Sequence, residues 1–133
     1  MDLFKEDIMK IICAVTAMNV VCELMEEKTS FAFAHSLCVA KDRLSPHVQF
    51  YTESEMEIIS RHAIQNEDGS VLDANGAFRV DPSHISDFRK EKAELDDVEI
   101  DFEKVRAKHP PEEISGKQLE ALMQVMDFEE GSE

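Results

Sequence analysis

The stretch Gly69-Ser70-Val71-Leu72-Asp73-Ala74-Asn75-Gly76-Ala77-Phe78-Arg79-Val80-Asp81 interrupts two long helical patterns. Its Asn75-Gly76 centre reads as the turn of a two-residue β-hairpin. A type I′ turn needs positive φ at both central residues, which Asn and Gly tolerate, and the apolar residues on either side can then pair. A lone hairpin is only marginally stable in water, so this ribbon needs a mate. Val98-Glu99-Ile100-Asp101-Phe102 alternates apolar and acidic side chains, the period of a strand with one buried face. Together the two segments predict a small three-stranded antiparallel sheet.

N-terminal to the hairpin, Leu3, Ile8, Ile11, Ile12, Val15, Met18, Val21 or Cys22, and Met25 recur at three- and four-residue steps. This spacing predicts an amphipathic helix of about six turns. Thr29 or Ser30 offers a new N-cap. A second stripe follows through Ala34, Leu37, Val39 or Cys38, Leu44, Val48, Tyr51, Ile58 and Ile59, and it holds its phase across Pro46. A proline inside a helix removes one hydrogen bond and crowds the preceding turn, so a kink or a break is expected near Leu44 to Ser45.

On the C-terminal side, Asp81 can cap a helix whose first position is Pro82, with Ile85, Phe88, Lys92 and Leu95 along one side. His109-Pro110-Pro111 stops regular structure, and Ser115 caps a final helix expected to reach Phe128. The expected fold is therefore α+β and mainly α: long antiparallel helices, a β-hairpin at 70–80, a third short strand at 98–102 and a C-terminal helix. Residues 1–128 should make one domain, followed by a frayed acidic tail at 129–133.

The 133 residues suffice for one domain with a real core, filled mainly by Leu, Ile, Val and Met, since there are 8 Phe, 1 Tyr and no Trp. The apolar run from Ile8 to Met25 is interrupted by Lys10, Thr16, Asn19, Cys22 and Glu23 and preceded by acidic residues. It fits neither a signal peptide nor a membrane span, so the chain is expected inside the cell and away from the membrane. Cys13, Cys22 and Cys38 form an odd set in apolar helical surroundings and are expected to be reduced, buried thiols.

Charge is placed unevenly. The formal net charge is −15; residues 1–50 hold 7 acidic and 5 basic side chains, whereas 51–133 hold 22 acidic and 9 basic. Such a surface repels DNA, RNA and anionic lipid, which argues against direct nucleic-acid binding and makes a basic protein the natural partner. The same acidity also serves simple solubility.

No residue pattern announces chemistry. His35 and Cys38 lie one helical turn apart and His62 lies near Glu57 and Arg61, but no CxxC or HxxxH spacing occurs, so no metal site is expected. Asp96, Asp97, Glu99, Asp101 and Glu103 are dense enough for an acid–base pair or a divalent ion. On a strand, however, Glu99, Asp101 and Glu103 would point to solvent while Val98, Ile100 and Phe102 point inward, which makes them an acidic interaction face. With no nucleophile elbow or phosphate loop, the expectation is a non-enzyme without cofactors.

The order of elements carries a resemblance. The Pro-containing long helix, Asn66-Glu67-Asp68-Gly69-Ser70 with its hairpin, the helix opening Asp81-Pro82-Ser83-His84-Ile85, the Asp97-to-Phe102 strand and Ile114-Ser115-Gly116-Lys117-Gln118-Leu119 follow one another. From about Asn19 onward this resembles a family of small bacteriophage and prophage proteins of unknown function, the DUF1617 group. The resemblance implies a phage origin, with residence in the cytoplasm of a bacterial host cell or on the virion, and carries no active-site residues.

Two roles follow as expectations. One is an accessory or virion-assembly protein whose helices contact a second copy of itself, as a homo-oligomer, or another phage or host protein. The Met-rich first and last helices (Met9, Met18, Met25, Met123, Met126) suit adaptable contacts as well as core gaps. The other is an acidic mimic of nucleic acid that occupies a basic groove of a host defence or takeover-target enzyme.

Overall fold

The computed structural model describes residues 8–128. Leu3 of the expected first helix and the acidic tail at 129–133 lie outside them. The chain is mainly helical with short strands. Strand β1 is Ile8–Lys10, helix α1 Ile11–Met25, helix α2 Phe31–His62, helix α3 Ile85–Asp96, strand β2 Glu99–Asp101, strand β3 Val105–Ala107, helix α4 Gly116–Leu122 and strand β4 Met126–Phe128, with a 3-10 turn at Pro82–His84 leading into α3.

Helix α2 is the spine. Ser30 caps it, its hydroxyl accepting from Phe33 N–H at 3.1 Å while donating to the His109 carbonyl at 3.1 Å. The helix then runs 32 residues without a break through Pro46. Of the two outcomes expected at that proline, a break is excluded. Asp42 and Pro46 both lie on the exposed side, so the carbonyl that loses its partner to the ring can turn to water.

The buried residues fall into two clusters that α2 joins. In the first, Ala14, Ala17, Val20, Val21 and Leu24 of α1 pack on Phe33, Leu37, Ala40 and Leu44 of α2, and Phe102, Val105, Leu122, Val125 and Met126 close it. Ala14, Ala17, Ala40 and Ala107 are fully buried, and their small side chains let backbones approach closely. The second cluster is smaller: Ile11, Tyr51, Ile58 and Leu95, with Phe88 and Ile100 against it.

The strands depart from the expected three-stranded sheet. β2 forms at the expected place, with Ile100 half-buried between exposed Glu99 and Asp101. Its mate is β1, antiparallel, with Met9 opposite Ile100 and Lys10 opposite Glu99. Ile8, Met9 and Lys10 are thus not the first turn of α1. Ile11 N–H donates to the Val98 carbonyl at 2.7 Å, which holds this segment extended beside β2. A second pair joins β3 and β4 in parallel, Val105 opposite Met126. The final helix accordingly stops at Leu122 and not at Phe128, because Met126 and Val125 are drawn into the first core as the chain turns extended.

The two flanks of Asn75-Gly76 do not form paired strands at 70–80; the antiparallel bridge of this segment joins Val80 to Ala63, at the base of a longer loop. Ile64 N–H donates to Arg79 O at 2.8 Å and Asp81 N–H to His62 O at 2.9 Å. Inside lie two successive turns of one design, Asn66 to Ser70 and Asp73 to Ala77, each with a left-handed glycine, Gly69 at φ 87° and Gly76 at φ 81°. Asn75 does not share Gly76's positive φ, so the turn is not type I′. The Asp73 carboxylate takes the N–H groups of Asn75 and Ala77 at 2.8 and 2.9 Å, and this side-chain bridge braces the turn with Asn75 outside the positive-φ region.

Ser115 caps α4 as expected, in a reciprocal box with Gln118. Since α4 has only seven residues, Ser115→Ala should lower stability by about 1 kcal/mol in urea unfolding.

Candidate functional site

The five carboxylates at 96–103 do not act as one group. Asp97 is exposed and pairs with Lys10 at 3.1 Å, a contact worth under about 1 kcal/mol at such exposure. Asp96 turns toward α2 and accepts from Tyr51 Oη at 2.6 Å. Glu99 and Asp101 stand on the solvent side of β2, as their alternation requires, and have no ion-pair partner among the described residues. Glu103 lies beyond the strand, where Arg43 of α2 donates to the backbone carbonyls of Glu103 and Lys104 at 3.0 and 3.3 Å. Of the five carboxylates, the ones left facing solvent without an ion pair among the described residues are Glu99 and Asp101, with Glu103 beside them.

Asp96 instead belongs to a polar strut between α2 and α3. Lys92 Nζ lies 2.6 Å from both Tyr51 Oη and Glu55 Oε2, and 3.7 Å from Asp96. Burial and the hydrogen bond to Asp96 push the Tyr51 phenol above its ordinary value. Burial alone would lower the Lys92 ammonium, but its bonds to Glu55 and Tyr51 outweigh that and raise it. At neutral pH the phenol keeps its proton and the ammonium its charge, so neither is poised to exchange protons with a substrate.

A second polar group joins residues far apart in sequence. His62, 7% exposed at the end of α2, places Nδ1 at 3.0 Å from His84 Nδ1 and Nε2 at 2.9 Å from Glu91 Oε2, while Arg61 binds the other Glu91 oxygen. Phe88 meets the His62 ring edge-on, and Phe78 of the loop lies 5.9 Å from Phe88. Arg61 first, then His62, hold the Glu91 carboxyl below its usual range. His62 was singled out in the sequence beside Glu57 and Arg61; Arg61 does join the group, through Glu91, but the direct partners of His62 are 22 and 29 residues away. No three His, Cys, Asp or Glu side chains converge at metal-ligand geometry among the described residues.

The loop carboxylates share a pH signature. Asp68, Asp73 and Asp81 are all held below the ordinary carboxyl value by hydrogen bonds from residues two to four positions ahead: Ser70, Ala77 with Asn75, and Ser83. A lowered folded-state pKa means stability that is present above the unfolded value, near 4, and lost as pH falls below it. Amide protection at Asn75 and Ala77 should accordingly hold at neutral pH and decline below about pH 4.

The cysteines correct an expectation. Cys22 and Cys38 are exposed and Cys13 is half-buried; all are free thiols. Each sits on the side of its helix turned away from the alanine-rich contact, so residue type misled where position decided. Cys13 helps line a groove of about 400 Å³ between α1 and α4, with Ile12, Thr16, Lys117, Ala121 and Gln124.

Beside it, on the other side of α4, is a groove of about 310 Å³ formed by Leu119, Met123, Met126 and Phe128, with Lys104 and Asp127 at its rim. Leu119 is 36% exposed and Met123 54%, whereas Met126 at 2% belongs to the core. The two methionines expected to serve either contact or packing thus divide the roles. Phe31, at the start of α2, is 88% exposed. No described helix is long and apolar enough to cross a membrane.

No family model, curated protein or solved structure matches the chain.

Proposed function

We propose that the protein acts through protein–protein contact and has no reaction of its own, as an accessory or assembly protein. The single observation that carries this reading is the apolar groove of Leu119, Met123 and Phe128 on α4 and β4. Its side chains are presented on hydrogen-bonded backbone and its Met123 thioether is free to adapt to a partner. The absence of proton-exchanging character in the Tyr51–Lys92 strut supports the same reading.

The occupant is a different protein of net positive charge. A second copy would bring another −15 of formal charge against the first, whereas a basic partner gains from it. The phage setting, in host cytoplasm or on the virion, rests on the element order of the sequence.

A second reading keeps the acidic mimicry of nucleic acid, because Glu99 and Asp101 stand exposed on β2 with no ion-pair partner among the described residues. The two readings separate on mutation. With the wild-type chain as bait in lysate from phage-infected cells, Leu119→Ser/Met123→Ser should lose its captured partner while Glu99→Gln/Asp101→Asn keeps it. Loss with the second pair alone would transfer the function to the acidic face.

A further inference from the structure

The His62–His84 contact is set by protons. Two imidazole nitrogens at 3.0 Å hydrogen-bond only if one donates and the other accepts. His62 Nε2 faces an ionised carboxylate, which can only accept, so that nitrogen carries hydrogen. The remaining choice lies between the two Nδ1 atoms. With both rings neutral, His84 donates to His62. With one proton added, either ring can be the imidazolium and donate to the other. With two, N–H faces N–H and the contact cannot survive.

The charges around the pair sharpen this sequence of states. From α2 comes Arg61, from α3 Glu91, and before the 3-10 turn Asp81, which interacts electrostatically with His84. Two carboxylates and one guanidinium leave the cluster at −1 when both rings are neutral. The first proton brings it to zero. The second makes it positive, in a place where His62 is almost fully buried.

What hangs on the contact is the base of the loop. His62 ends α2 and His84 ends the 3-10 turn, so their rings fasten the two ends of 63–81 where the backbone supplies one isolated bridge, Ala63 to Val80. Phe88 packs against His62, and Phe78 packs on Phe88. The geometry points to a proton-operated clasp: uptake of a second proton by His62 and His84 parts the rings and frees the 63–81 loop, with Phe78, from the end of α2.

The test is an NMR titration of the full chain from about pH 8 to about pH 5. His62 and His84 should titrate in two linked steps at least about one pH unit apart. Through the lower step, the protection factors of the Ile64 and Asp81 amides should fall at least about tenfold, since these close the loop base. His84→Asn places an amide where Nδ1 stood, able to donate or accept but not to gain a proton. In that variant the two amides should keep their protection across the whole range. Independent single-step titrations of the two rings would overturn the clasp, and so would an equal loss of protection in wild type and His84→Asn. The wild-type titration decides by itself if the variant fails to fold.

Discussion

Replacing Phe33 with alanine should destabilise the protein by about 3–5 kcal/mol, the range for emptying a large aromatic site in a packed core. Phe33 is fully buried at the start of α2, in the cluster that gathers α1, β3, α4 and β4 on the spine. Its loss leaves a cavity that its neighbours cannot easily fill. Leu37, one turn along the same face of α2, is already fully enclosed and has no room to swing in. Against a total stability of about 5–15 kcal/mol for a domain of ordinary size, this is a large fraction. Urea unfolding followed by far-ultraviolet circular dichroism would read it as a fall of the midpoint with an unchanged slope. A change under about 1 kcal/mol would mean that the two-cluster account of the core is wrong.

The second large effect belongs to the smaller cluster. Leu95→Ala should cost about 2–3 kcal/mol, toward the lower end for a buried leucine because Leu95 retains 7% exposure and the cluster has few members. The consequence should be local as well as global. Leu95 is the one buried residue of α3, so its loss should raise hydrogen exchange in α3 and at the base of the 63–81 loop more than in α1. The Lys92 strut to Tyr51 and Glu55 should hold α3 near α2 even then. Uniform acceleration across α1 and α3 would show that the two clusters open as one.

The long spine was legible from sequence because its cue is long: a stripe sustained from Leu37 to Ile59, opened by a capping serine. β2 was legible because Glu99, Ile100 and Asp101 alternate cleanly. The other strands were not. Three residues carry too little period, and Ile8, Met9 and Ile11 fit a helical face as well as an extended one. Met126 sits four residues after Leu122, as a helix would place it, and only its parallel pairing beside Val105 reveals the strand. The hairpin centre was read correctly as a turn, but the Asp73 carboxylate, a side-chain effect within the turn, changed its type.

The candidate site divides along the same line. The solvent-facing Glu99 and Asp101 follow from strand alternation alone. Asp96 could not be separated from them in sequence, because its partner Tyr51 lies 45 residues away. The His62, His84 and Glu91 group has no local signature, since three elements meet to make it. The exposed Met123 beside the buried Met126 shows the same limit: residue type marked both as versatile, and only the turn after Leu122 assigns one to solvent and one to the core.

The most direct test of the contact function is hydrogen exchange on the captured complex, comparing each backbone amide with the free chain. Protection gathered on α4 and β4, from Gly116 to Phe128, is the expected footprint of a partner seated on Leu119, Met123 and Phe128. Protection confined to the segment from Asp96 to Glu103, with α4 and β4 unchanged, would contradict it.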